Sequence, residues 1–312
     1  MVVGPTVRAD VGARRIHLAL LDILATNEPG LRSNLDTEFL HDFRVAVRRA
    51  RSLLGQIRHV FPAEMVEYVS AELAWVGRLT GPPRDIDVLV LALRACHGDL
   101  AAGDLQALTS FLGQAQQCEH HRLVEALDSD RYRRLLSKWQ VFLRRPVLCE
   151  SEPRNAGRPL VDVVSRRAWR LSRRIAARAD GIDAFTPAAQ LHQVRICAKK
   201  LRYLIDVTPA FYDALDLERI LGALKKLQRV LGDFNDAHVQ EHRLLECGLA
   251  LGAAGGPASA LLTLGRLAEQ SRQRGERLRA EIVEGLSRFR AGETKSACRR
   301  AFKRARGSEG AR

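Results

Sequence analysis

The sequence predicts an all-α fold, and three observations carry that prediction. Apolar residues recur at helical spacing along almost the whole chain. Aromatic residues make up only 5% of the 312 positions, and the chain is rich in Ala, Leu, Arg and Glu, which favour helices over sheets. Runs of Val, Ile and Thr bounded by turn signals are scarce, so no sheet is expected. Apolar residues reach 46%, enough for a sizeable core, and the length suggests two domains or one duplicated one.

In chain order, the periodicity places helices near residues 7–26, 36–60, 63–80, 84–97, 104–127 and 130–145. Asp36 fits the N-cap of the second of these. The polar stretch from Cys149 to Pro159 reads as a linker. Helices resume near 160–180, 187–207, 213–231, 233–251, 258–290 and 295–306. Thr186 and Pro187 fit the N-cap and first-turn positions of the 187–207 helix. Gly81 and Gly232 sit where a helix would stop, and Asp85 and Asp236 then fall at the positive start of the next one, as caps or ion-pair partners.

The most informative feature is an internal duplication. LHDFRVAVRRARSLL begins at Leu40, and LHQVRICAKKLRYLI begins 151 positions later at Leu191. LAWVGRLTGPPRDID from Leu73 and LKKLQRVLGDFNDAH from Leu224 obey the same shift, matching Arg78 to Arg229, Gly81 to Gly232 and Asp85 to Asp236. Two similar helical halves packed face to face are expected.

Both copies of the first motif carry a basic stripe. With His41 at zero on a helical wheel, Arg44, Arg48 and Arg51 fall at about 300°, 340° and 280°, while Arg49 lies apart at about 80°. Phe43, Ala46, Val47, Ala50, Leu53, Leu54 and Ile57 form the opposite, core-facing side. In the second copy His192, Arg195, Lys199 and Arg202 take the same angles, Lys200 lies to the side, and Val194, Cys197, Ala198, Leu201, Leu204 and Ile205 face inward. An ordinary solvated helix face mixes signs. Here no acid enters either stripe before Asp206, and like charges one turn apart cost about a few tenths of a kcal/mol per pair. A ligand that offsets the cost, repeated in both halves, is the reading these helices support. Arginine forks suit phosphate oxygens, and successive cations about 5.4 Å apart along the axis suit a polyanion. Weaker candidates are Arg166 and Arg170, with Arg173 and Arg174, on the 160–180 helix, Arg15 at the position matching Arg166, and Lys225, Lys226 and Arg229. The run Arg299, Arg300, Lys303, Arg304 and Arg306 reads as a basic C-terminal helix or frayed tail.

The net charge of +14, from 50 Lys and Arg against 36 Asp and Glu, fits a polyanionic partner. The six cysteines form no CxxC pair or zinc spacing, which suits reduced thiols and a cytoplasmic setting. The first ten residues hold no apolar signal segment, and no stretch is apolar enough to span a membrane, so no membrane association is expected.

At this point the chain resembles the CHAD (conserved histidine α-helical domain) family. EPGLR from Glu28, LHDFRVAVRRARSLL, GPPRDIDV from Gly81, LHQVRICAKKLRYL and LQRVLGDFNDAHV from Leu227 carry the resemblance across nearly the whole chain. It implies one domain over 7–290, with a first half at 7–148, a linker at 149–159 and a second half at 160–290; residues 291–312 would form the basic terminus. It implies two four-helix bundles related by a pseudo-twofold axis, with a central basic groove or pore lined by residues such as 41, 44, 48, 192, 195 and 199. The implied partner is inorganic polyphosphate, bound without catalysis, with some members associating with polyphosphate granules. The chain lacks the ExExK motif of the triphosphatase domain often fused to such proteins. It departs from its own duplication at Pro82–Pro83, against Asp233–Phe234, which bears on the geometry around Arg84.

Signatures of enzymes are missing: no GxxxxGK[ST], HExxH or GxSxG occurs, and no cofactor is expected. His238 and His242, four residues apart, read as a surface or internally satisfied pair and not as metal ligands. Nucleic acid is the main alternative partner, because basic stripes serve phosphodiesters equally well. Aromatic platforms for bases are lacking, with only Tyr203 beside the second stripe. An enzyme acting on a phosphate polymer is the third reading.

Overall fold

A computed structural model of the chain describes residues 4–95, 102–145 and 153–304. Eleven α-helices form among the described residues, with no β-strand. Helix α1 spans Ala9–Arg32, α2 Thr37–Gln56, α3 Ala63–Leu79, α4 Gly81–Ala95, α5 Ala102–Asp128 and α6 Asp130–Arg144. The second half holds α7 Leu160–Ala179, α8 Ala188–Val207, a 3₁₀ turn at Pro209–Phe211, α9 Ala214–Ala253, α10 Ala258–Arg290 and α11 Gly292–Arg299, which runs into a π turn at Arg300–Arg304.

The duplication is visible in where helices start. Helices α7, α8 and α9 each begin 151 positions after α1, α2 and α3. The two halves also meet through reciprocal backbone bonds. Ala9 N–H donates to the Arg158 carbonyl at 2.8 Å, and Leu160 N–H donates to the Val7 carbonyl at 2.8 Å. The 151 shift converts one bond into the other. Helix α2 packs against α8, and α1 against α7.

Asp36 caps α2 as expected, its carboxylate accepting from Glu38 N–H at 2.9 Å. Four expectations need correction. Helix α1 runs past residue 26 and tolerates Pro29, because a final turn is held by Arg32 against Glu28 at 2.7 Å and Asp128 at 2.8 Å. Gly232 stops nothing: α9 is one 40-residue helix, with Leu231, Phe234 and Ala237 buried at helical spacing. The first half does break near the matching position, and proline is the reason. Pro82 and Pro83 lack the N–H groups that would reach the Arg78 and Leu79 carbonyls, so α3 ends and α4 restarts at Gly81. Asp85 and Asp236 therefore lie inside helices, not at caps. Finally, Thr186 does not cap α8, whose N-cap is Pro187. Thr186 instead closes the preceding turn, accepting from Asp183 N–H at 2.9 Å.

Every residue expected on the inner faces of α2 and α8 is buried. Full burial of a side chain such as Leu53 or Leu201 contributes about 2 kcal/mol. The main core joins α1, α2, α3, α6, α7 and α8 to one end of the α9–α10 pair, the N-terminal part of α9 and the C-terminal part of α10. A second cluster locks α4 and α5, through Leu89, Leu93, Leu108 and Leu112, onto Leu244, Leu251, Leu264 and Leu267 of α9 and α10. The turn between those long helices needs glycine. Gly255 has φ +73°, and a Cβ on Gly256 would sit 2.4 Å from the Leu251 side chain. The terminus is not frayed where it is described. Phe302 is fully buried against Tyr212, and Arg300 forks onto the Asp216 carboxylate. Arg306 lies outside the described residues.

Candidate anion-binding site

The α2 stripe opens onto a cleft shared with α3. Arg44, Arg48, Arg51 and Arg78 line it, with Val47, Ala74 and Gly77 as its apolar floor and a volume of about 220 Å³. Arg44 is the anchored member. Its guanidinium donates to Thr80 Oγ1 at 3.1 Å and reaches the Gly77 carbonyl at 3.4 Å. Burial lowers its pKa; Asp85 opposes this, while Arg48 and Arg84 add to it. Arg48 and Arg51 are exposed, and His41 is half-buried.

The α8 stripe lies outside that lining but within electrostatic reach of Arg48. Burial, first, and then repulsion from Arg195 and Arg48 push the Lys199 ammonium down to about 8, with Asp236 opposing. Arg195 is lowered by burial and by Arg48, again against Asp236. Arg48 belongs to α2, whereas Arg195 and Lys199 belong to α8, so cations of the two copies stand in one another's field. The Asp236 carboxylate is 3.8 Å from Arg195 and largely exposed, a loose partner. Arg195 Nε is buried and has no hydrogen-bond partner. His192 is exposed, and its Nδ1 lies 3.0 Å from Asn235 Oδ1.

Other candidates divide into three groups. Arg202 donates to Asp206 at 2.6 Å, and Arg49 lies 3.9 Å from the same carboxylate and over the Tyr203 ring at 5.8 Å. Arg229 is exposed between Asp233 at 3.7 Å and Glu281 at 3.9 Å, and Lys225 is exposed on α9. Arg166 and Arg170 line a different cavity, beside Arg58 and Arg167, while Arg15 is exposed on α1 outside it. Burial lowers Lys200, and Arg167, Arg174 and Arg58 add to that, which ties it to that second cavity.

Sequence reasoning missed Arg84, Arg58, Arg167 and Thr80. Arg84 follows the two prolines in the first turn of α4 and reaches back to the Thr37 carbonyl at 3.4 Å. Arg167 donates to the buried Gln56 amide oxygen at 2.6 Å. The only signal for Arg58 and Arg167 was local basic density, without a repeat behind it. His238, Glu241 and His242 bring ligand atoms within 4.8 Å of one another at the surface of α9, and His242 Nδ1 donates to the His238 carbonyl at 2.9 Å. No described helix is long and apolar enough to cross a membrane. Four cysteines are described and free, at 118, 197, 247 and 298; Cys96 and Cys149 lie outside the described residues.

Fold and site together define a class: an all-helical domain with cationic helices from two sequence repeats. The chain belongs to the CHAD domain family, whose sequence profile matches residues 15–245. The crystal structure of the CHAD domain from the plant Ricinus communis superposes with a TM-score of 0.74 at 26% identity, covering 92% of this chain and 94% of that one. PptA from Streptomyces chartreusis shares the fold, with a TM-score of 0.64 at 18% identity over 90% of this chain and 99% of that one. An uncharacterized protein found in two strains of Mycobacterium tuberculosis is 27% identical over 256 residues, 80% of this chain and 48% of that protein. The chain thus spans about half the length of the curated relatives it matches.

Proposed function

We propose that the stripes of α2 and α8 bind inorganic polyphosphate without catalysis, as one domain over 7–290 with halves at 7–148 and 160–290. The carrying observation is that Arg48 of one repeat stands in the electrostatic field of Arg195 and Lys199 of the other. Isolated like charges at half-buried positions destabilise a fold unless an anion joins them. The buried Arg195 Nε without a partner supports the same reading. The family is associated with polyphosphate binding, and its domains are generally non-catalytic. A pseudo-twofold relation of two four-helix bundles about a basic groove belongs to this reading; the matched helix starts and reciprocal bonds near Arg8 and Pro159 support it. Localisation to polyphosphate granules in the cytoplasm would follow from the binding.

The experiment is retention on immobilised long-chain polyphosphate over a salt series, with tRNA and duplex DNA as competitors. Wild type is retained, and affinity falls steeply with salt as counterions are released. The quadruple variant Arg44→Glu, Arg48→Glu, Arg195→Glu, Lys199→Glu loses retention. The exposed pair Arg48→Glu, Arg51→Glu weakens it without disturbing the core. Wild-type retention in the folded quadruple variant, or preference for nucleic acid at physiological salt, overturns the proposal.

A further inference from the structure

The cavity lined by Arg166 and Arg170 is built differently from the stripes. It lies where the exit of α2, the inter-repeat linker and α7 meet, and its volume is about 270 Å³. Arg58 comes from the α2 exit, Arg154 and Arg158 from the linker, and Arg166, Arg167 and Arg170 from α7. Six arginines thus face one carboxylate, Asp162, which is 3.9 Å from Arg158. Its walls are fixed. The linker's Asn155 bonds both ends of the α2 exit: its N–H donates to the His59 carbonyl and its side-chain amide to the Arg58 carbonyl, each at 2.8 Å. His59 has φ +57°, in the left-handed region that few residues other than glycine adopt. Gln56, buried at the end of α2, orients Arg167.

The duplication does not account for this cluster. Shifting by 151 positions puts Pro209 opposite Arg58, Ala210 opposite His59, Ile16 opposite Arg167 and Ala19 opposite Arg170; of the six arginines only Arg166 has a basic counterpart, Arg15, which lies outside the cavity. The stripes are repeated, and the cavity is not. Its size is also informative. It lies just under the roughly 300 Å³ lower bound for small-molecule pockets, too small for a long run of polymer. A compact anion of high charge density suits a cavity lined by six arginines, of which Arg58 and Arg167 are held through Nε by the Gly55 carbonyl and Gln56.

We propose that this cavity is a second anion site, independent of the stripes, that takes the terminal phosphate of an oligophosphate. A terminal phosphate carries about 1.5 to 2 negative charges near neutral pH, whereas an internal one, joined on both sides by anhydride bonds, carries a single charge. The cavity's excess of arginine over acid discriminates on that difference. A short free oligophosphate and the end of a longer chain present the same group.

Calorimetric titration of the full chain with tripolyphosphate and with cyclic trimetaphosphate, which has no ends, tests it. Wild type binds tripolyphosphate about tenfold or more tightly than trimetaphosphate, the worth of one additional charge-assisted hydrogen bond. The pair Arg154→Glu, Arg170→Glu, both exposed, loses that preference, with the alanine pair at the same positions as a milder second variant. A control of equal charge change on α6 and α10, Arg134→Glu with Arg274→Glu, keeps it. So does the stripe pair Arg48→Glu, Arg51→Glu, which separates this site from long-chain binding. A long chain competes in proportion to its ends. Equal affinity for the linear and cyclic anions overturns the proposal, as do competition in proportion to total phosphate, loss in the control, and an unchanged cavity variant.

Discussion

Lys199 gives the stripe reading a proton signature. In the free protein its ammonium titrates at about 8, because burial, Arg195 and Arg48 outweigh the exposed Asp236. A polyanion laid along the stripes reverses the balance and raises that pKa. The sign follows: binding near pH 8 takes up protons, about half of one from a group half-deprotonated beforehand. Affinity then falls about tenfold between pH 7 and 9, provided the bound-state pKa lies above that window. Internal groups of long-chain polyphosphate keep their single charge over this range, so the loss comes from the protein. Calorimetry in buffers of different ionisation enthalpy reads the proton uptake directly. Lys199→Arg preserves the charge and removes the titration, so its affinity is flatter with pH and its uptake smaller. The same shift destabilises the unliganded fold by about 1–3 kcal/mol at neutral pH after discounting for partial exposure, and that stability returns as pH rises from about 8 to 10.5. A wild-type affinity constant from pH 7 to 9, or an identical slope in Lys199→Arg, would falsify the reasoning.

Two further outcomes follow from other groups. His17 is fully buried against Trp139 and Phe61, and burial pushes it down to about 3, so its neutral form is the folded one. Its contribution to stability is complete above pH 6.5 and is lost as pH falls toward 3; urea unfolding should show about 3 kcal/mol of extra loss from pH 7 to 4 that His17→Leu removes, and equal acid sensitivity in both proteins refutes it. Asp206 occupies Arg202 and lies near Arg49, so Asp206→Asn should tighten polyphosphate binding and steepen the dependence on log salt by up to about one counterion. An unchanged slope and affinity would remove Arg49 and Arg202 from the site.

Much of the fold was legible because burial imposes period 3.6. The inner faces of α2 and α8 were each read residue by residue, and the 151 shift located the starts of α7, α8 and α9. What misled was local punctuation. Gly232 looks like Gly81, yet α9 continues through it, since glycine permits a stop without imposing one. The stop in the first half is imposed by Pro82 and Pro83, which delete two consecutive hydrogen bonds. The stripes were legible as unbalanced charge on one helix. Asp85 and Asp236 were legible as caps or ion-pair partners, and they pair with Arg243 and Arg195; which arginines they would reach was not, because they arrive from α4 and α9 across tertiary contacts that helical periodicity does not encode.

The two repeats have kept their stripes and diverged at their ends, and the divergence has a direction. Arg51 and Arg202 occupy matching positions, but the residue one turn further is Gly55 in the first copy and Asp206 in the second. At the end of α8 the carboxylate therefore takes up Arg202 and stands near Arg49. At the end of α2 no acid stands in its place; the chain passes instead to Arg58, whose field reaches Lys200 and Arg167. A phosphate chain crossing from one stripe to the other meets undiminished positive charge at the α2 end and a neutralised margin at the α8 end. Exchanging the two residues, Gly55→Asp with Asp206→Gly, keeps net charge constant and reverses that gradient. Because both positions lie one turn beyond the stripes, the exchange should leave the fold intact while redistributing where the anion protects arginines from chemical modification, from Arg51 toward Arg202 and Arg49. An unaltered protection pattern would mean that the cationic path has no preferred end.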